Sequence, residues 1–333
     1  MNIYDISKLA GVSIATVSRV LNGNEKVSEK TKKKVLDIIE QQGYTPNVFA
    51  RGLGLNTMKT IGLLCADASD IYQAKAIYFL EELLRAQGYD SILCCSGFQL
   101  QSKEKCAALL IAKKVDALIL IGSGFVYEDS QKDAYIRHAA QQVPVMILNA
   151  ALDVPNVFGV VSDDYKSVFD ATTKLISREI KDILYFYNST SYSGKRKLLG
   201  YRKAMEKHGL LDEKLIHFFG KNSEDIPGMA NYLLQLRRNG LQFNGIITSN
   251  DQLALAAIKY AKKAGLSIPE DLSIIGYDNS MLACCSDPEL SSIDVQMEAL
   301  CQMLVSNLML ALKGENPPAV TTLPGHIFYR ETT

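Results

Sequence analysis

The chain has 333 residues, 47% hydrophobic and 22% charged, a globular composition too long for one compact core, so two or three domains are expected. No apolar run reaches the roughly 18 to 20 residues of a membrane span, and Met1-Asn2-Ile3-Tyr4-Asp5 lacks the basic start and apolar stretch of a secretory signal, which points to the cytoplasm and away from the membrane. Net charge is zero, yet residues 1–60 hold nine Lys/Arg against five Asp/Glu, so the head and not the acidic body is the part that meets a polyanion.

Asn2 can cap a first helix that carries Asp5 in its first turn. Ile3, Ile6, Leu9 and Ala10 form its apolar stripe, and Gly11 permits a sharp turn. Ser13 is a good cap for a second helix running from Ile14 to about Asn22, with Val17, Val20 and Leu21 inward and Ile14, Ala15, Ser18 and Arg19 outward. Gly23 ends it. Ser28 caps a third helix whose Val35, Ile38 and Ile39 close the small core, and Gly43 stops it.

Three short helices with a tight first turn make a helix-turn-helix, an all-α head whose second helix enters the major groove of double-stranded DNA by its N-terminus. Arg19 can grip a guanine through two hydrogen bonds, and Ile14 and Ala15 can only touch thymine methyls or exclude bulk. Ser13, Thr16, Ser18 and Asn22 suit phosphate oxygens, which position without specifying. A three-helix bundle that binds nothing would leave the outward Arg19 and the basic excess unexplained.

Tyr4-Asp5-Ile6-Ser7-Lys8-Leu9-Ala10-Gly11-Val12-Ser13, followed by Ala15-Thr16-Val17-Ser18-Arg19-Val20-Leu21-Asn22-Gly23, resembles the signature of the lactose/galactose-repressor (LacI) family. Val27-Ser28 with Thr31, and Gly43-Tyr44-Thr45-Pro46-Asn47, continue the resemblance.

Pro46 prevents the third helix from running on. Asn47 can cap a short helix over 48–53, which is marginal alone and further weakened by Gly52 and Gly54. It is expected to order only on DNA. The resemblance puts Leu53 at the family's wedge position, where a pair of leucines from a dimer kinks the minor groove. Ala50 is small enough for two hinge helices to approach.

From Thr60 the pattern alternates strands and helices. Strands are expected at 61–66, 92–95, 117–121, 145–148, 183–186, 245–248 and 272–277, continuous apolar runs that belong in parallel sheets covered on both faces. Helices are expected near 74–87, 106–113, 165–180, 197–208, 228–239 and 252–264. The expected architecture is therefore the helix-turn-helix head (1–46), a hinge and linker (47–59), and an α/β two-lobed sensor (60–333) of doubly wound parallel sheets. Lobe 1 takes about 60–162 plus part of 290–333, and lobe 2 about 163–290. The resemblance implies that the tail crosses back, as in related periplasmic sugar-binding proteins.

In open parallel sheets ligands sit beyond the carboxyl ends of the strands. The loops concerned lie at 67–72, 122–125, 149, 162–164, 188–197, 249–251 and 277–279. They are rich in Asp, Asn and Ser, with Tyr72 and Phe125 as ring platforms, a mixture fit for a carbohydrate or another small polar metabolite. The resemblance selects Asp278 from Ile275-Gly276-Tyr277-Asp278-Asn279, then Asn250 and Asp163. The family's usual arginine, three residues before Gly200-Tyr201, is here Lys197 with Arg196 beside it, and a lysine cannot reproduce the arginine fork. Lys195-Arg196-Lys197 also leaves room for an anionic ligand such as a sugar acid or sugar phosphate. Each of these residues has a plainer alternative as a helix cap or solvated surface group.

An enzyme is not expected. No complete dinucleotide fingerprint, P-loop or nucleophile elbow occurs, and the four histidines have no ligand spacing. Seven cysteines, an odd count without C-x-x-C, fit small buried hydrophobes better than a zinc or disulfide framework. No metal or other cofactor is called for. A transporter's solute-binding protein would fit the sensor but not the first 59 residues. The expected function is a homodimeric transcriptional regulator, a repressor, that binds a pseudo-palindromic operator under control of a sugar-like effector.

Overall fold

The computed structural model of the chain describes residues 2–21, 26–43, 57–127, 129–220 and 225–333. The head contains α1 (Ile3–Ala10), α2 (Ile14–Leu21) and α3 (Glu29–Gln41). Asn2 caps α1 in a reciprocal box, its side chain accepting from Tyr4 and Asp5 amides while the Asp5 carboxylate accepts from the Asn2 amide. Gly11 closes α1 at φ +62°, and the Val12 amide reaches back to the Ser7 carbonyl, a left-handed stop that glycine adopts without strain. Ser28 caps α3 through the Thr31 amide.

Ile6, Ala10, Val17, Val20 and Val35 form the head's buried core, with Ile3, Leu21, Ile38 and Ile39 packed around it. Leu9 departs from the expected inward stripe: it is 53% exposed. At about 100° per residue, Ile3, Ile6 and Ala10 cluster on one face and Leu9 falls roughly a quarter-turn away. The hinge expected over 48–53, and with it Asn47, Ala50 and Leu53, lies outside the described residues, as does Asn22.

The rest of the chain builds two six-stranded sheets. The first contains β1 (Thr60–Cys65), β2 (Asp90–Cys95), β3 (Ala117–Ile121), β4 (Val145–Leu148), β5 (Val157–Ser162) and the returning β11 (Val320–Leu323), in the order β11-β5-β4-β3-β1-β2, all parallel. The second contains β6 (Ile183–Tyr187), β7 (Ile216–Phe218), β8 (Gly245–Thr248), β9 (Ser273–Tyr277), β10 (Ser291–Asp294) and β12 (His326–Phe328). Its order is β12-β10-β9-β8-β6-β7, with β12 alone antiparallel, Ile293 opposite Ile327. The chain therefore passes between the sheets three times, after β5, after β10 and after β11. Residues 291–294 and 326–328 go to the second sheet, while α12 (Met297–Leu312) packs on α4 (Ile71–Ala86) of the first. The remaining helices that matter below are α5 (Leu100–Ala112), α7 (Asp164–Ser177), α8 (Tyr192–Lys207) and α10 (Asp251–Ala264).

Among the described residues α7 and α8 share the most extensive helix–helix contact. The approach depends on Gly200, where a Cβ would overlap the Tyr165 carbonyl and crowd the Phe169 amide. Gly200→Ala is expected to cost about 1–3 kcal/mol, the range for forcing atoms into a filled interface. The urea midpoint checks this, and an unchanged midpoint would contradict the close approach.

Candidate functional site

Two surfaces qualify. On the head, α2 buries Val17 and Val20, which turns Ser13, Ile14, Ala15 and Arg19 to solvent and leaves Thr16 and Ser18 half-buried. The Ser13 hydroxyl is engaged as the helix cap: it accepts from the Thr16 amide at 3.2 Å and lies 2.9 Å from the Thr16 hydroxyl. Ser13 and Thr16 thus offer a phosphate what is left after capping, while Arg19 stands outward on the exposed face.

The second surface is a cavity of about 270 Å³ beyond the carboxyl ends of both sheets. Tyr72, Phe125, Lys197, Asn250 and Asp278 line it. Asp163 and Arg196 do not. Asp163 caps α7 by accepting from the Lys166 amide, and Arg196 points its guanidinium to Asp163 at 3.9 Å with its side chain 41% exposed. Phe125 is 1% exposed and belongs mainly to the core beneath the lining. Five further lining residues fall outside the expected loops: Ala66 and Ile121 at the strand ends themselves, and Gln73, Phe98 and Lys103. Phe98 follows β2, where the strand-end rule itself would have found it, and is 72% exposed. Across the cleft, the Ser123 hydroxyl, just after β3, donates to the Ser191 hydroxyl that caps α8, at 2.8 Å.

The wall supplied by the second sheet is built around Lys197. Its Nζ donates to the Ser249 carbonyl at 3.0 Å and sits 3.5 Å from the centre of the Tyr277 ring. Three carboxylates surround it. Asp164 accepts from the Tyr277 hydroxyl at 2.5 Å. Asp251 accepts from the Ser280 amide and hydroxyl and from the Ser292 hydroxyl. Burial raises both above the ordinary carboxylate range, and Lys197 opposes that rise.

Asp278 ends β9 in a left-handed turn, φ +93° followed by Asn279 at +43°, a conformation that costs of order 1–3 kcal/mol per non-glycine residue. Its neighbours hold it there. Arg330 bridges the Asn279 side chain and the Leu290 carbonyl, and Asp251 grips Ser280. Burial pushes the Asp278 carboxyl up to about 7, with Lys197 pulling it down and Asp251, Asp70 and Asp164 adding to the rise.

A carboxyl raised by folding holds its proton longer in the native state. Its contribution to stability is therefore complete in acid and lost as pH rises through the interval from 3.8 to about 7. Asp278→Asn is expected to flatten the decline of stability over that interval. Urea midpoints taken from pH 4 to 8 check this, and parallel wild-type and variant curves would contradict it.

Two more groups await a partner. The Tyr72 hydroxyl is buried without a hydrogen bond, which costs about 1–3 kcal/mol until something supplies one. Asn250 spends its carbonyl on capping α10 and its amide on Asn188 at 3.3 Å, so it presents one remaining N–H. Hydroxyl, amide and carboxyl groups around a half-apolar lining are what a polyhydroxylated ligand requires. Among the described residues no cluster of His, Cys, Asp and Glu could hold a metal, and no helix is long and apolar enough to cross a membrane.

Residues 2–47 match the bacterial regulatory proteins of the lacI family, and residues 172–333 match the periplasmic binding protein-like domain. An HTH-type transcriptional regulator of Lachnoclostridium phytofermentans is 51% identical over 334 residues, covering 100% of this chain and 99% of the relative. A lac repressor dimer solved bound to operator and the anti-inducer ONPF superposes with a TM-score of 0.88 at 22% identity, over 100% of this chain and 98% of the other. The regulator CelR, solved as its cellobiose complex, gives 0.73 at 24% identity over 100% of both chains. At these identities the two structures speak for the fold. The full-length relative, a regulator and not an enzyme, excludes the transporter component considered from sequence.

Proposed function

The chain belongs to the lacI family of bacterial regulatory proteins, and from that premise we propose that it is a cytoplasmic repressor whose grip on operator DNA is set by a small polar metabolite, a sugar or sugar derivative, held in the cleft. The observation that carries this reading is one chain with both an exposed Arg19 face on α2 and a cavity at the carboxyl ends of two parallel sheets. Two heads of a homodimer would meet the two halves of a pseudo-palindrome, with Ser13, Ile14, Ala15, Thr16, Ser18, Arg19 and Asn22 at each half-site. Asn47, Ala50 and Leu53 would meet at the centre. The lac repressor relative was solved as a dimer on operator, and the CelR relative with a carbohydrate, which supports the same partners here.

Ligand enters between two walls carried by different sheets, so it favours one relative arrangement of the lobes. Operator affinity then changes by the ligand's differential affinity for the two arrangements, typically 1–3 kcal/mol, or about 5–150-fold. The test selects a duplex from random sequence with the purified chain, then measures its gel shift with and without a low-molecular-weight metabolite extract. The expected result is a selected site with dyad symmetry and an extract-dependent change in its Kd. A chain that selects no sequence, or whose grip ignores every extract, would refute the proposal. Asp278→Asn is expected to keep operator affinity in the absence of ligand and to lose at least about tenfold in response, consistent with one charge-assisted hydrogen bond worth about 1.5–3 kcal/mol.

A further inference from the structure

We propose that the effector carries an anionic oxygen group, a carboxylate or a phosphate, and that Lys103 receives it at the first-sheet end of the cleft. This rests on the reading of the cleft as the effector site and specifies what that site selects.

Lys103 is a lysine on an apolar stripe. It shares the buried face of α5 with Ala107 and Leu110, is 4% exposed, and lines the cavity. Its Nζ donates to the Gly124 carbonyl at 2.7 Å and to the Tyr127 hydroxyl at 2.8 Å, and lies 5.1 and 5.0 Å from the Phe125 and Tyr127 ring centres. All of these contacts, from Gly124, Phe125 and Tyr127, are with neutral groups. Among the described residues no carboxylate is within ion-pair distance of it. An ammonium has three donors, so one remains beyond the two bonds to protein. Carbonyl, hydroxyl and ring faces offset part of the desolvation of a buried cation. They do not neutralise it, and a buried unpaired charge is strongly unfavourable.

The contrast with the opposite wall decides the reading. Lys197 is also buried, at 7% exposed, and it too makes no ion pair among the described residues, but it is near enough to Asp164, Asp251 and Asp278 to pull all three carboxyls down, so its charge is answered within the protein. The cavity is thus polarised, with acidic and amide groups at the Asp278 end and, at the Lys103 end, a cation that no carboxylate among the described residues pairs. A hydroxylated body with an anion at one terminus matches both ends, whereas a neutral sugar leaves Lys103 unanswered. There is room for the group. Gly122 and Gly124 both line the cavity, and a Cβ on either would meet nothing within 4 Å. A volume of about 270 Å³ sits at the small end of ligand sites and fits a single sugar ring with its substituent better than a long oligosaccharide.

The experiment compares the wild-type full chain with Lys103→Met and Lys103→Gln. Both variants are neutral, and the second retains a donor for the Gly124 carbonyl. Each is melted with inorganic phosphate against sodium chloride at matched ionic strength, because phosphate also meets the DNA-binding head and only the variants isolate the cleft. A second arm compares glucose, glucuronate and glucose 6-phosphate, and the galactose series, which separates a carboxylate from a phosphate as the natural group. The expected result is a saturable rise in Tm of at least about 2 °C with phosphate or a charged sugar in wild type, abolished in either variant that melts cooperatively. Equal responses in wild type and variants, including none in any, would overturn the inference, as would a neutral sugar that stabilises as well as its charged counterparts. The cleft's role as a sensor is judged separately, by the extract-dependent gel shift, which does not depend on ligand charge.

Discussion

Replacing Lys197 with methionine is expected to cost about 3–5 kcal/mol of stability, the range for removing one partner from a buried ionic cluster. Lys197 is 7% exposed, and Asp164 and Asp251 beside it are 1% and 2% exposed. The Asp164 and Asp251 carboxylates retain hydrogen-bonding neighbours, but with Asp278 they depend chiefly on the Lys197 ammonium to offset the charge. Once it is gone, each carboxyl rises further and the cluster gains stability by holding protons. The loss is therefore expected to be largest above the Asp278 value of about 7 and to shrink in acid, the sign required when the native state binds more protons than the unfolded one. Urea midpoints of wild type and Lys197→Met at pH 5 and pH 8 check this. Equal midpoints at pH 8 would show that Lys197 is not the counter-ion. Lys197→Arg keeps the charge and is expected to lose much less.

Replacing Arg19 with alanine is expected to remove about 1–3 kcal/mol of discrimination at one base pair of each half-site, roughly a 5–150-fold loss of preference there. The side chain is exposed on α2 while Val17 and Val20 pack inward, so the substitution leaves the head's core intact. Non-specific affinity is expected to fall only by the share of one cationic contact. A library of duplexes varied one position at a time reads the effect. Unchanged preference at every position would remove Arg19 from base recognition.

Much of this was legible in the chain before the fold was seen, for identifiable reasons. Ala117–Ile121, Val145–Leu148 and Gly245–Thr248 are strands with the expected bounds, since short, β-branched-rich apolar runs bounded by turn residues suit a doubly covered sheet. Val157–Ser162 is a strand that the apolar runs do not single out, and it carries Gly159. That glycine is required where the strand passes the Ala150 carbonyl, a contact sequence does not display. The tail strands Val320–Leu323 and His326–Phe328 are short edge strands with exposed positions, and little in their composition distinguishes them from loop.

At the candidate site, loops at strand ends were legible as a class, but individual roles were not. The plainer alternative for Asp163 describes its place in the fold: it caps α7 and stands outside the cavity. Lys103 carried a readable signal, a charge at the i position of an i, i+4, i+7 apolar stripe with Ala107 and Leu110, and its meaning emerged only with the cavity beside it.

The coupling of cleft to operator can be measured without knowing the effector. Ser123 and Ser191 face each other across the cleft with hydroxyls 2.8 Å apart, which makes this pair the place to link the two walls by a disulfide. In the double variant Ser123→Cys, Ser191→Cys, oxidation should fix the two walls in this arrangement. Operator Kd is predicted to differ at least about fivefold between the oxidised and reduced forms, with no such difference for wild type under the same treatment, which controls for the seven native cysteines. An operator Kd that is the same with the cleft locked and unlocked would contradict the claim that the arrangement of the lobes governs DNA binding.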